Sequence, residues 1–157
     1  CWVCLVGGAA EYRVIPDTFP APVVDGKAAV RYLREHAAEY GIDPQRIGVL
    51  GDSAGGYLAQ MLGTTNGEKA FDKGEYLDQS SDVQAVVTLY GLSNLLNVGA
   101  GFPDNIQAVH RSPAVTEALL VNGTAFRDSP APPSTRIRPK PYTPAQWAIS
   151  KGSNHRS

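Results

Sequence analysis

The chain has 157 residues, 43% of them apolar and 18% charged, with a formal net charge of −1. That suits one globular domain, and no apolar run nears the ~20 residues that span a bilayer. The near-neutral total hides a division: residues 1–128 carry 9 basic and 15 acidic side chains, net −6, whereas residues 129–157 carry 5 basic and no acidic ones, net +5.

Cys1-Trp2-Val3-Cys4 opens the sequence without a methionine or a basic leader region, so no signal peptide is read there. The sequence reads as starting within a strand of something longer, and the compartment, cytoplasmic or secreted, stays open. A C-x-x-C pair can mark a redox or zinc half-site, but no second pair and no helical pattern supports that here. Residues 10–15 (A-E-Y-R-V-I) predict a strand. Pro16, Pro20 and Pro22 mark a loop, and Pro22 suits the first turn of a helix running to Tyr40. Val30, Leu33, Ala37 and Tyr40 form its apolar face; Lys27, Arg31, Arg34, Glu35 and Glu39 are assigned to the remaining, solvated surface. Gly41 ends it in a left-handed cap position.

Residues 46–50 predict a buried parallel strand through Ile47, Val49 and Leu50. Gly51-Asp52-Ser53-Ala54-Gly55 follows, a match to G-x-S-x-G. Leu58, Met61 and Leu62 then recur at helical spacing. Ser53 is therefore placed on a sharp strand-to-helix turn, which would expose its hydroxyl, with the Ala54 N–H aimed at an oxyanion. Gly51 and Gly55 are read as letting strand and helix pack closely. The competing readings are an inert serine in a glycine-rich turn and a β-barrel protease site, which the helical pattern after Ser53 opposes. Residues 64–81 read as a polar surface loop, 83–90 as another buried-type strand closed by Gly91, and 92–128 as irregular with a helix at 115–121. Strand and helix alternate, so the fold class is α/β with a parallel sheet and flanking helices.

The segments E-Y-R-V-I-P, F-P-A-P-V-V-D-G-K-A-A-V-R-Y-L-R, Y-G-I-D-P-Q-R-I-G-V-L-G-D-S-A-G-G-Y-L-A and V-V-T-L-Y-G together resemble the α/β-hydrolase esterases and lipases, and among them the acetyl-esterase and feruloyl-esterase-like carbohydrate esterases. The resemblance covers residues 10–128, a partial α/β-hydrolase fold. It implies carboxylic-ester hydrolysis by a Ser–His–Asp triad on a small-molecule ester, with no metal or organic cofactor. It puts Ser53 on the nucleophile and Ala54 on an oxyanion-hole amide. Tyr12, Arg13 and Asp25 fall on structural positions, an Arg13–Asp25 pair being either an anchor of strand to helix or a solvated surface pair.

The triad acid and histidine should follow later strands, beyond the family-like part, and the His-Gly-Gly-Gly loop should lie before Cys1. Gly7-Gly8 lacks the His and is no substitute. His36 reads as structural, His110 as a loop residue, and His155 sits near the triad position without a supporting strand. Asp104 and Asp128 read as loop acids. No Asp/Glu–His pair of this chain is expected to serve Ser53, so weak activity is expected, and a non-catalytic binding domain on the same fold is the rival reading. Residues 129–157 hold six of the 12 prolines and no amphipathic period. They read as a basic anion-binding tail, a divergent extension, or a segment translated out of frame. One permitted codon choice read one base later yields A-L-Y-A-S-P and P-P-F, which resemble the family. Nucleic-acid binding, salt-sensitive if present, is the weakest reading. Acyl group, alcohol and oligomeric state are not legible.

Overall fold

Two prolines start the first helix: Pro20 at the cap and Pro22 in the first turn, where its fixed φ suits the place. In the computed structural model, which describes residues 6–14 and 16–121, this helix, α1, spans Ala21–Glu35. It breaks at His36, and a further turn, α2, covers Ala37–Tyr40. The expected helix to Tyr40 is thus two pieces. Gly41 closes the second at φ +66°, the left-handed conformation that glycine adopts at little cost.

Strand β1 (Gly48–Asp52) follows, then helix α3 (Ser53–Thr64) and strand β2 (Ala85–Leu89). The strands pair in parallel with register Gly48 to Ala85 through Asp52 to Leu89. The regular ladder begins two residues later than the apolar run suggests, because at Ile47 the partner is partly a side chain. Ile47 C=O accepts from the Gln84 N–H at 2.8 Å, and Ile47 N–H donates to Gln84 Oε1 at 2.9 Å. Asn66 does the same for Val83, accepting its N–H and donating to its carbonyl. After β2 come a 3-10 turn (Leu95–Asn97), α4 (Asp104–His110) and α5 (Thr116–Leu120). The last agrees with the helix expected at 115–121; α4 has no counterpart in the sequence reading.

Helices α1 and α3 pack on each other and on one face of the sheet. Val30, Ile47 and Val83 form the centre of the core, with Leu33 and Val49 against them. Leu58, Ala59 and Leu62 bury the inner face of α3, and Leu62 lies so near Gly26 that a Cβ there would meet it at 3.1 Å. The opposite face carries the alternate residues. Leu50 is 71% exposed and Val87 and Leu89 are about half exposed, so neither strand is buried on both faces as expected. Nor is β1 flanked on both edges: among the described residues β2 is its one neighbour. Residues 10–14 are not a strand, and Ala9 makes only an isolated bridge. A strand exists through its ladder, and no described strand lies alongside 10–14 to supply one.

Lys27 and Arg31 correct the expected solvated surface of α1, since both are fully buried. Lys27, Arg31 and Arg34 recur at i, i+4, i+7, one helix face, and that face holds residues 64–82. Lys27 Nζ donates to Thr65 O at 2.9 Å and Ser81 Oγ at 3.1 Å. Arg31 donates to Asp72 Oδ1, Glu75 O and Lys73 O. Arg34 donates to Pro44 O, Ser80 O and Asp82 O. A loop without strand or helix leaves carbonyls in need of donors, and the three cations supply them. Burial pulls the Lys27 ammonium below its ordinary pKa, against the raising influence of Asp72 and Asp82.

Arg13 and Asp25 are not a solvated pair: they anchor the irregular 10–14 segment, rather than a strand, to α1. Asp25 is 2% exposed and accepts from Arg13 Nε, from Nη2 at 2.8 Å and from the Arg13 backbone N–H at 2.8 Å. The division at residue 128 and the character of residues 129–157 lie outside the described residues, as do Cys1, Cys4, Asp128 and His155. No helix among the described residues is long and apolar enough to cross a membrane.

Candidate active site

The extended chain of β1 ends at Asp52, φ −117° and ψ 153°, and turns at Ser53, φ +47°, directly into α3. A serine in the left-handed region is strained. The tightness of the turn explains Gly51: a Cβ there would lie 2.1 Å from the Gly55 carbonyl oxygen. Gly55 itself has no such need, since its added Cβ would meet nothing nearer than Asp52 Oδ1 at 4.0 Å. The glycine the sequence reading missed is Gly56, whose added Cβ would sit 2.9 Å from the Cα of Gly91, just past β2. Thr88 Oγ1 completes that contact, donating to Gly56 O at 3.2 Å and accepting from Gln60 Nε2 at 3.0 Å. The G-G doublet at 55–56 and the glycine closing the second strand were the available signals.

Ser53 and Ala54 are both exposed. They open on a cleft of about 580 Å³ lined also by Ala9, Tyr12, Leu50 and Asp52. Among the described residues no side chain, the Asp52 carboxylate included, caps the start of α3. The first-turn N–H groups of a helix have no partner within it and sit at the positive end of its dipole. The site therefore offers a hydroxyl on a projecting turn beside free donors. That arrangement suits attack on a carbonyl and stabilisation of the anion formed, provided a base takes the proton.

Neither described histidine is that base. His36 Nδ1 bonds Tyr32 O at 2.9 Å and its ring stacks on Tyr32 at 4.2 Å. His110 Nδ1 meets Glu117 Oε1 at 2.5 Å, bridging α4 and α5. Asp104 stands in the first turn of α4, exposed. Among the described residues no cluster of His, Cys, Asp and Glu could hold a metal ion. A second residue missed from sequence is Tyr90, directly after β2, at φ +43° with its hydroxyl 3.3 Å from Asp52 Oδ2.

The sequence profile of the BD-FAE family matches residues 8–133. The chain is 36% identical over 92 residues to the probable carboxylic ester hydrolase LipM of Mycobacterium tuberculosis, which is 58% of this chain and 20% of that protein. A truncated carbohydrate esterase from gut microbiota is structurally similar, with TM-score 0.60 and 33% identity over 71% of this chain and 41% of that one. A bifunctional GH43-CE protein of Bacteroides eggerthii gives TM-score 0.58 and 32% identity over 71% of this chain and 16% of that one. The chain spans about a fifth of the length of the curated relatives it matches.

Proposed function

The chain belongs to the BD-FAE family of α/β-hydrolase esterases, and from that premise we propose that it carries the nucleophile of a serine carboxylic-ester hydrolase acting on short acyl or carbohydrate-linked esters. The observation that carries the reading is Ser53 itself: an exposed serine at φ +47°, between a parallel strand and an uncapped helix. In this reading Ser53 Oγ adds to the ester carbonyl, and the carbonyl oxygen, now an anion, takes the Ala54 N–H. The alcohol leaves with the proton that the base removed from Ser53. Water then repeats the addition on the acyl-enzyme and frees the acid. The base is neither His36 nor His110, each already committed elsewhere. The substrate class rests on the carbohydrate-esterase naming of the similar structures.

A fluorophosphonate probe tests this, because it reacts with an activated serine and not with an ordinary hydroxyl. Labelling on the peptide holding Ser53, slower than in an esterase with an intact triad and lost in Ser53→Ala, is the expected result. Turnover of p-nitrophenyl acetate should be low for the 157-residue chain, since sites stripped of triad members retain only about 10³–10⁴-fold over water. Labelling that persists in Ser53→Ala, or is absent from the wild type, would overturn the assignment in favour of a binding domain.

A further inference from the structure

Ser53 and Tyr90 occupy equivalent places. Each directly follows one of the two paired strands, and each has positive φ. A bulky residue stays in that region only where something holds it. Burial is not the reason for Tyr90, which is 78% exposed. Its one described tie is the hydroxyl bond to Asp52 Oδ2 at 3.3 Å.

Asp52 is the N-cap residue of α3, and aspartate is among the best cap acceptors. A capping carboxylate would take the N–H two or three residues on, which here means Ala54 or Gly55. It takes neither, although Oδ1 stands close to the first turn. The carboxylate thus has two competing partners, the free amides of the helix and the phenol of Tyr90, and it lies on the phenol.

We propose that Tyr90 is a positioning residue that holds the Asp52 carboxylate away from the first turn of α3, leaving the Ala54 N–H free for the oxyanion. The inference rests on the assignment of Ser53 and Ala54 above. A carboxylate released from Tyr90 would cap the helix. It would occupy the donor and place a negative charge where the tetrahedral intermediate must develop its own.

The test compares wild type, Tyr90→Phe, Asp52→Ala and the double variant, with three readouts on the full chain. In the amide NMR spectrum of the ¹⁵N-labelled protein, Y90F should move the Ala54 or Gly55 N–H downfield as it gains a carboxylate, and D52A should remove that shift. The thermal midpoint of Y90F should hold or rise, because a cap is gained; a tyrosine that only packs would give a lower midpoint and unmoved amides. In turnover, Y90F should lower kcat roughly tenfold with little change in KM, a part of what losing an oxyanion donor costs. Y90F should have no further effect in the D52A background. Unmoved amides in Y90F, or a kcat loss that D52A does not absorb, would overturn the proposal. Fluorophosphonate labelling that survives Ser53→Ala would instead overturn the assignment of Ser53, whatever the amides show.

Discussion

At Gly51 the backbone of the turn passes so close that substitution has nowhere to go. The atom an alanine methyl would strike, the Gly55 carbonyl oxygen at 2.1 Å, is main chain and has no rotamer to change. Gly51→Ala should therefore cost roughly 3 kcal/mol or more, at the upper end for overpacking. Gly55→Ala meets open space inside a helix, where alanine gains up to about 1 kcal/mol over glycine. Urea midpoints of the two variants should move in opposite directions, and equal losses would contradict the geometry. The motif G-x-S-x-G treats both glycines alike. Only three-dimensional packing separates them, and only packing reveals that Gly56 and Gly91 form a close contact of their own. Ser53 was legible because a short apolar run before it and a helical period after it define the turn. Tyr90 was not, because nothing local in L-Y-G states that its hydroxyl would reach a residue 38 positions away.

The same limit governs the elements. The apolar periods of 46–50 and 83–90 located β1 and β2 to within two residues, since hydrophobic run and ladder largely coincide. They overstated burial, because the apolar residues of the open face signal cover that the described residues do not provide. Residues 10–14 carry strand-like composition without a strand beside them. On α1 the period misassigned Lys27 and Arg31, since a charged face looks solvated from sequence whether it meets water or a loop's carbonyls. Removing Arg31 would leave Lys73 O and Glu75 O without this donor and would take from Asp72 its guanidinium partner, with Lys69 still beside it. Arg31→Ala should destabilise by about 3 kcal/mol, as breaking a buried pair does. The acid limb should also move. Burial raises Asp72, but the Ser81 and Lys69 bonds and the charges of Arg31 and Lys27 outweigh it and hold the carboxyl below its ordinary pKa of 3.8. A group depressed on folding contributes stability above its unfolded pKa, and that contribution disappears as pH falls through the folded value. Part of the wild type's stability should thus be lost only below about pH 4, and R31A, lacking one of the depressing charges, should lose it at higher pH. Circular dichroism across pH 2–6 reads both; coincident acid midpoints would show that Arg31 does not hold Asp72 down.

For the molecule as a whole, two surfaces set behaviour. The sheet face left open among the described residues, with Leu50, Val87 and Leu89 exposed on strands that have no further described neighbour, is the kind of surface through which chains associate. Elution volume in size-exclusion chromatography should fall as the 157-residue chain is concentrated, and Leu50→Lys should lessen that dependence; a monomer at every concentration would contradict it. The second surface is electrostatic. Residues 1–128 carry net −6 and residues 129–157 net +5, so the two parts attract. Whether the attraction matters depends on salt. At 0.15 M the Debye length is about 8 Å and exposed charges are screened beyond it, while at 0.01 M it is about 30 Å. The six prolines of 129–157 oppose ladder and helix interiors alike, so charge is the main interaction that segment's sequence offers the rest. A chain ending at residue 128 should then melt at the same temperature as the full chain in 0.15 M salt and fall below it only in 0.01 M salt. A deficit of several degrees that persists at 0.15 M would mean that residues 129–157 make packed contacts, and they would have to be counted as part of the fold.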